Sequence, residues 1–307
     1  MWRYLLSRLL GAIPTLLAIV TLAFLLLRAA PGGPFDTGKE LLPEVRAGIE
    51  KTYHLDEPLP KQYLRYLGDL LRGDLGPSFQ YPDESVNSLI AAGLPVDLTI
   101  GGLALLLACL LGIPLGALAA WKRGGFFDRI AGTLSLVGIS IPVYVAAPLF
   151  ILLFAVTLQW LPAGDWGGGA LRYLVLPVMS LSLPYIAYVT RIMRASFMDV
   201  LEQPWIRTAR AKGLAPRAVL FRHALRPALL PLVAFLGPAV VGAITGSIVV
   251  ETTFGLKGIG QFFVLGAFNR DYTLVMGVTI LYGVLIVMAN LVADLCQALL
   301  DPRVRLQ

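Results

Sequence analysis

Few side chains in this chain have the type and spacing to do chemistry. There are two histidines, His54 and His223, and two cysteines, Cys109 and Cys296. His54 lies in a polar stretch, His223 in a basic one and both cysteines in apolar runs, where they read as small buried hydrophobes. No His-Glu-x-x-His, paired aspartates or Ser-Lys arrangement falls within an apolar run, which argues against an intramembrane enzyme. No GxxxxGK[ST] loop occurs, so the chain cannot itself cradle the phosphates of ATP. Carboxylates at mid-span would mark an ion path, but Asp97 and Glu251 fall at outer run ends and Asp294 near an inner one. Together with the lack of internal repeats, this disfavours a proton- or sodium-coupled carrier. Two polar features remain. Thr245, Ser247, Thr252 and Thr253 cluster with glycines and can either line a polar path or hydrogen-bond between helices. Segment 202–231 is basic and lies between two apolar runs.

The elements that must position these residues are membrane spans. Of 307 residues, 57% are hydrophobic and only 14% charged, where a soluble domain carries about 25%. Uncharged apolar runs cover 9–27, 98–121, 130–162, 173–190, 227–250 and 272–293. A transmembrane helix needs about 20 such residues. Five runs fit one helix each. The 130–162 run is too long and is read as one tilted helix followed by an apolar exit loop, giving six spans. The first run starts with Arg3 and Arg8, but it outlasts the roughly 7–15-residue core of a secretory signal and Pro31 spoils cleavage after Ala29-Ala30, so it is read as an uncleaved helix.

Lys and Arg set the orientation. Arg3 and Arg8, then Lys122, Arg123 and Arg129, then the eight basic residues from Arg191 to Arg226, and finally Arg303 and Arg305 share one side. That side is cytoplasmic, so both termini are expected inside a multi-pass protein of the inner (plasma) membrane, with lipid around its spans. The net charge of +6 then belongs to the cytoplasmic rim and does not imply a nucleic-acid partner. The expected organisation is a first helix over 1–30, an extracytoplasmic cap over 31–96, a five-helix core over 97–300 containing a cytoplasmic loop at 198–226, and a tail over 301–307. In the cap, Pro43 opens a short helix over 44–51, and Tyr63, Leu64, Leu67, Leu70 and Leu71 have helical spacing over 60–71. The cap can pack over the helix ends or receive a soluble partner. Glu251, Lys257, Arg270 and Asp271, in or beside outer loops, are candidate docking charges for such a partner. Glycines four apart, Gly112/Gly116 and Gly242/Gly246, allow close helix approach. Pro114, Pro142, Pro148, Pro184 and Pro238 can kink helices or serve as hinges.

The basic loop has internal design. From Met198 to Lys212 it suits a helix apart from Pro204, with Trp205, Ile206 and Ala209 able to share a face. Gly213 breaks it and can take positive φ, and Pro216 can open a second helix. A solvated basic loop would explain the charge of Arg207, Arg210 and Lys212, but not the small residues, Trp205 or the glycine break.

This helix–glycine–helix loop resembles the coupling motif of binding-protein-dependent ABC importer permeases. Thr208, Ala209, Gly213 and the pair Leu230-Pro231 match it, while Arg207 stands where the general motif has Glu. RTARAKGL followed by RHALRPALLP is similar to the peptide-importer branch, as are RLLGAIPTLLAIVTLAFLLLRAAPGGPF, GLKGIGQFF, FNRDYTLV and DPRVR; the cap sequence GDLGPSFQYPDESVN looks most like the oligopeptide B-type permease. The resemblance runs over essentially the whole chain. It implies an all-α polytopic membrane protein of the type I importer permease fold, with six transmembrane helices. It further implies a heterodimer with a second homologous permease and two ATPase subunits that use ATP and Mg beneath it. An extracytoplasmic binding protein would deliver peptide, and this chain would hold no cofactor or metal and be no enzyme. Dipeptide, nickel or other small-solute import on the same fold is the alternative, and a non-transporting scaffold a more distant one.

Overall fold

In a computed structural model of the chain, residues 2–30, 48, 51, 53–81, 83–245 and 248–300 are described. The expected helix at 44–51, the 301–307 tail, and Gly246 and Ser247 fall wholly or largely outside them.

The described residues are helical except for connections. Helix α1 (Trp2–Ala29) lies along the last helix, to which Arg8 is joined by an ion pair with Asp294 at 3.1 Å. Near its other end, the Thr21 hydroxyl shares a 2.6 Å hydrogen bond with Tyr63 of α2 (Leu59–Leu71). Helix α2 ends at Leu71, where the spacing stopped, and Gly73 and Gly76 beyond it both take positive φ. The Asn87 side chain then straps this turn to the next helix, donating to Gly73 O at 2.7 Å and accepting from Leu75 N at 2.9 Å.

Helix α3 (Val86–Trp121) starts inside the stretch read as cap. Ser85 caps it by accepting from Ser88 N, which satisfies one of the free N–H groups of a helix start. With 36 residues it is about 54 Å long at 1.5 Å per residue, well beyond the ~30 Å hydrocarbon layer. It packs closely on α6 (Leu171–Leu201), because Gly112 and Gly116 face that helix. A methyl on Gly116 would stand 2.6 Å from Thr190 O and 2.7 Å from Met193 Cβ. Helix α6 is the centre of the bundle, with 56% of its most apolar window buried, against 11% for α1.

The 130–162 run departs from expectation. It forms α4 (Phe126–Ser140) and α5 (Val143–Phe150), the latter continuing as a π-helical turn through Ile151–Thr157, and the two arms meet at 99°. There is no single tilted helix with an exit loop. The cause is Pro142, which drives the preceding Ile141 out of the helical region to φ −84°, ψ 114°. Among the described residues, five helices are long and apolar enough to span a membrane, and six if the bent pair counts as one span.

Two short helices follow α6. Helix α7 (Pro204–Ala211) leads to α8, which begins at Pro216–Ala218, widens to π geometry over Val219–Ala224 and resumes over Leu225–Ala228. Helix α9 (Leu230–Thr245) and α10 (Ile248–Phe254) form the next span. Helix α11 (Ile259–Phe268) lies between it and α12 (Tyr272–Leu300). Cys109 is half-buried and Cys296 is exposed on α12, so the expectation of two buried cysteines holds only partly.

Candidate functional site

The basic segment is built as a packed pair of short helices. Pro204 begins α7 at a position where its missing N–H costs nothing. On α7, Ile206 is wholly buried and Ala209 nearly so. They pack with Val219, Ala224 and Ala228 of α8, Ala117 and Ala120 of α3, and Val189, Met193 and Phe197 of α6. Trp205 does not join them; it is 50% exposed. The face expected to hold all three residues therefore splits, two residues anchoring the helix and the indole facing outward.

Gly213 ends α7 as the spacing implied. Its φ is +74°. Gly213 N–H donates to Arg210 O at 2.9 Å and Leu214 N–H to Ala209 O at 3.4 Å, the paired bonds of a glycine-terminated helix. No atom lies within 4 Å of where a Cβ would stand, so the demand for glycine here comes from backbone conformation and not from crowding. Thr208 donates back to Pro204 O at 3.1 Å. Arg207, Arg210, Lys212, Arg217, Arg222 and Arg226 are all exposed.

Two of these cations also hold the bundle, which sequence spacing did not signal. The Arg210 guanidinium lies 5.5 Å from the centre of the Trp121 ring, tying α7 to the end of α3. Arg226 donates to Leu299 O at 2.9 Å and Leu300 O at 3.2 Å, closing the otherwise free carbonyls at the end of α12. Leu230 is half-buried and Pro231 exposed at the start of α9. Beside this pair of helices, Asp128 of α4 holds Arg194 of α6 through Nε and Nη2, the latter at 3.0 Å, and accepts Gly124 N–H at 2.8 Å.

The opposite end of the bundle corrects the proposed docking charges. Glu251 and Asp271 are fully buried. Glu251 accepts Gln261 N–H at 2.7 Å and Asp97 accepts Ile259 N–H at 2.9 Å, so both carboxylates serve the first turn of α11, where negative charge is favoured. A methyl on Gly258 would collide with both carboxylates. Asp271 caps α12 through Leu274 N–H at 3.1 Å and accepts the Ser78 hydroxyl at 2.5 Å. These groups present no charge to a soluble partner. Lys257 is exposed and Arg270, at φ +57°, is half-buried.

The hydroxyl cluster is only partly described. Thr252 and Thr253 each bond back to their own helix, to Ile248 O at 2.8 Å and Val249 O at 2.7 Å. Among the described residues they make no bridge to a neighbouring helix. Thr252 is exposed, Thr245 is half-buried and Ser247 lies outside the described residues.

Comparison with known proteins accords with this architecture. A family model described as binding-protein-dependent transport system inner membrane component matches residues 112–306, and its N-terminal counterpart matches residues 1–100. The chain is 50% identical over 305 residues to the oligopeptide transport system permease protein OppB of Salmonella typhimurium, covering 99% of this chain and 100% of that one. It is 40% identical over 306 residues to the dipeptide transport system permease protein DppB of Bacillus subtilis, covering 100% and 99%. A chain of the inward-facing MetNI methionine ABC transporter shares the fold at TM-score 0.57 and 16% identity, over 69% of this chain and 96% of that one. The described helices, the spans they form and these full-length matches agree: this chain belongs to the family of binding-protein-dependent transport system inner membrane components.

Proposed function

We propose that the chain is one permease of an ATP-driven oligopeptide importer. It pairs with a second, homologous permease, receives peptide from an extracytoplasmic binding protein, and is driven by two ATPase subunits that bind ATP and Mg at its cytoplasmic face. The observation that carries the energy-input part is the α7–α8 pair. Its inner face is anchored by Ile206, Ala209, Val219 and Ala224 in the same core as α3 and α6. Its outer face offers Trp205, Arg207, Thr208 and Lys212 to a partner. A push on that outer face reaches two spans directly, and packed cores answer such pushes by moving as bodies between discrete states. Alternating access follows if ATPase closure moves α7 and α8 together. Thr245, Thr252 and Ser247 are assigned to the peptide path; the two threonine hydroxyls whose bonds are known, on Thr252 and Thr253, are spent locally and leave their helix free to face a partner or a pathway. Binding-protein docking is assigned to Lys257 and Arg270.

The cargo reading rests on the full-length relatives named for oligopeptide transport. Dipeptide import is the second reading, favoured by the full-length relative named for it. ATPase stimulation in the reconstituted complex separates the two: oligopeptide-loaded binding protein should stimulate strongly and dipeptide-loaded protein weakly, and the reverse ranking would replace the first reading. For coupling, Gly213→Val forces a β-branched residue into positive φ, which disfavours the turn. ATP hydrolysis by the complex should persist while peptide uptake falls at least about tenfold, the effect of roughly 1.4 kcal/mol lost from coupling. Uptake at the wild-type level would remove Gly213 from the mechanism.

A further inference from the structure

Between α4 and α6, at the end of the bundle that carries the basic helices, lies a groove of about 390 Å³. Arg129, Arg191 and Arg194 line it against one carboxylate, Asp128. Arg194 is committed to that aspartate. Arg129 and Arg191 are exposed, and neither makes an ion pair or side-chain hydrogen bond among the described residues. The groove thus holds an excess of positive charge that the chain itself does not neutralise. Farther along α4 its wall turns apolar with Ala131, Leu136 and Ile139. The Thr190 hydroxyl is already bonded to Ile186 O at 2.7 Å, so Arg129 and Arg191, with the buried Ser135 hydroxyl deeper in, are the groove's donors.

A basic mouth grading into an apolar wall is the profile of an amphiphile. The surface around it fits the same occupant. Helix α4 buries only a narrow stripe, Asp128, Ala131 and Ser135, and exposes Phe126, Ile130, Leu134 and Val137, an apolar surface continuous with the groove that hydrocarbon would cover. Basic pockets between spans at the membrane surface recognise lipid phosphates, and a guanidinium fork suits phosphate oxygens better than an ammonium does. We propose that this groove binds the phosphate headgroup of an anionic phospholipid, with Arg129 and Arg191 as its ligands and an acyl chain along Leu136 and Ile139.

The test uses the full chain purified with its partner subunits in mild detergent. Retention of dioleoyl phosphatidylglycerol is measured by native mass spectrometry beside dioleoyl phosphatidylcholine, with inorganic phosphate as competitor. Wild type should hold phosphatidylglycerol selectively, phosphate should not displace it, and each of Arg129→Gln and Arg191→Gln should weaken retention about fivefold. Arg191→Lys, which keeps the charge, should recover part of the loss. Equal retention of both lipids, displacement by inorganic phosphate, or unchanged retention in the double glutamine variant would each overturn the proposal. So would absence of any lipid from the groove because the second permease fills it, read as a crosslink between cysteines placed at Ile139 and on the partner. Both arginines are exposed and unpaired, so the variants should fold; an unchanged thermal midpoint confirms that the lost lipid reflects lost recognition.

Discussion

The two ends of the bundle place their charges in opposite ways. At one end, Arg207, Lys212, Arg217 and Arg222 point outward, and apolar residues such as Ile206 and Val219 do the anchoring. At the other, Asp97, Glu251 and Asp271 point inward, and hydrogen bonds to backbone N–H groups do the anchoring. A buried carboxylate is tolerable only when such bonds satisfy it. The first arrangement leaves its charge on the exposed face of the helix pair. The second consumes its charge in fixing the starts of α11 and α12. One end thus displays its charge and the other spends it on backbone, and under the proposed function the first is the end an ATPase would push.

The strongest way to break this comparison is to remove an apolar anchor at the basic end. Ile206 is wholly buried, and truncating such a residue costs about 2–5 kcal/mol. Ile206→Ala should lower the thermal midpoint of the purified complex and loosen α7, seen as faster amide exchange over 204–211. Its neighbour Trp205 is half exposed, so Trp205→Ala should change stability by less than about 0.5 kcal/mol while weakening ATPase association. Equal destabilisation by the two changes would mean that the faces of α7 are not divided as described.

A glycine from each end sharpens the contrast. At Gly258 the constraint is space, because a methyl meets the carboxylates of Asp97 and Glu251. Gly258→Ala should cost about 1–3 kcal/mol by overpacking, with the loss spread over α11. At Gly213 the space is open and only φ constrains. Gly213→Asn, which tolerates that conformation, should be milder than Gly213→Ala, for which left-handed backbone costs about 1–2 kcal/mol. Matching losses from Asn and Ala at Gly213 would show that conformation is not what the site requires.

These two glycines also mark how far the residue order could be read. Gly213 was legible because its reason is local: a helix-compatible run, a breaker, then Pro216. The spans were legible for the same kind of reason, as was α2. Gly258 was not, since its neighbours Asp97 and Glu251 come from two other helices. The burial of Asp271 was hidden likewise, because its partner Ser78 is 193 residues away. The bend at Ile141–Pro142 escaped because the residues on both sides of it are apolar, so composition does not break where direction does. Proline there was visible, but whether a membrane proline kinks or breaks a helix depends on what packs around it.

A third placement of charge asks whether burial is what gives the acid end its grip. On α2 and the turn before it, the half-buried Glu57 accepts from two exposed cations, Lys61 at 3.1 Å and Arg65 at 2.7 Å, with His54 at 3.8 Å. The Lys61 hydrogen bond is the main influence holding its carboxyl below the usual range, with Arg65 adding to it. A carboxylate whose folded pKa is depressed contributes stability that is present above its unfolded value of about 4.3. That stability is lost as pH falls through the lower folded value. Solvent screening keeps such a contribution small. Glu57→Gln should therefore leave the thermal midpoint nearly unchanged at acid pH, lower it slightly near neutrality, and make the loss vanish in high salt. Glu251→Gln should behave differently, with a larger loss that salt does not relieve, because its carboxylate is fully buried and bonds the Gln261 backbone N–H. If both variants respond alike to salt, the inward carboxylates are held no more firmly than a surface pair, and the contrast between the two ends fails.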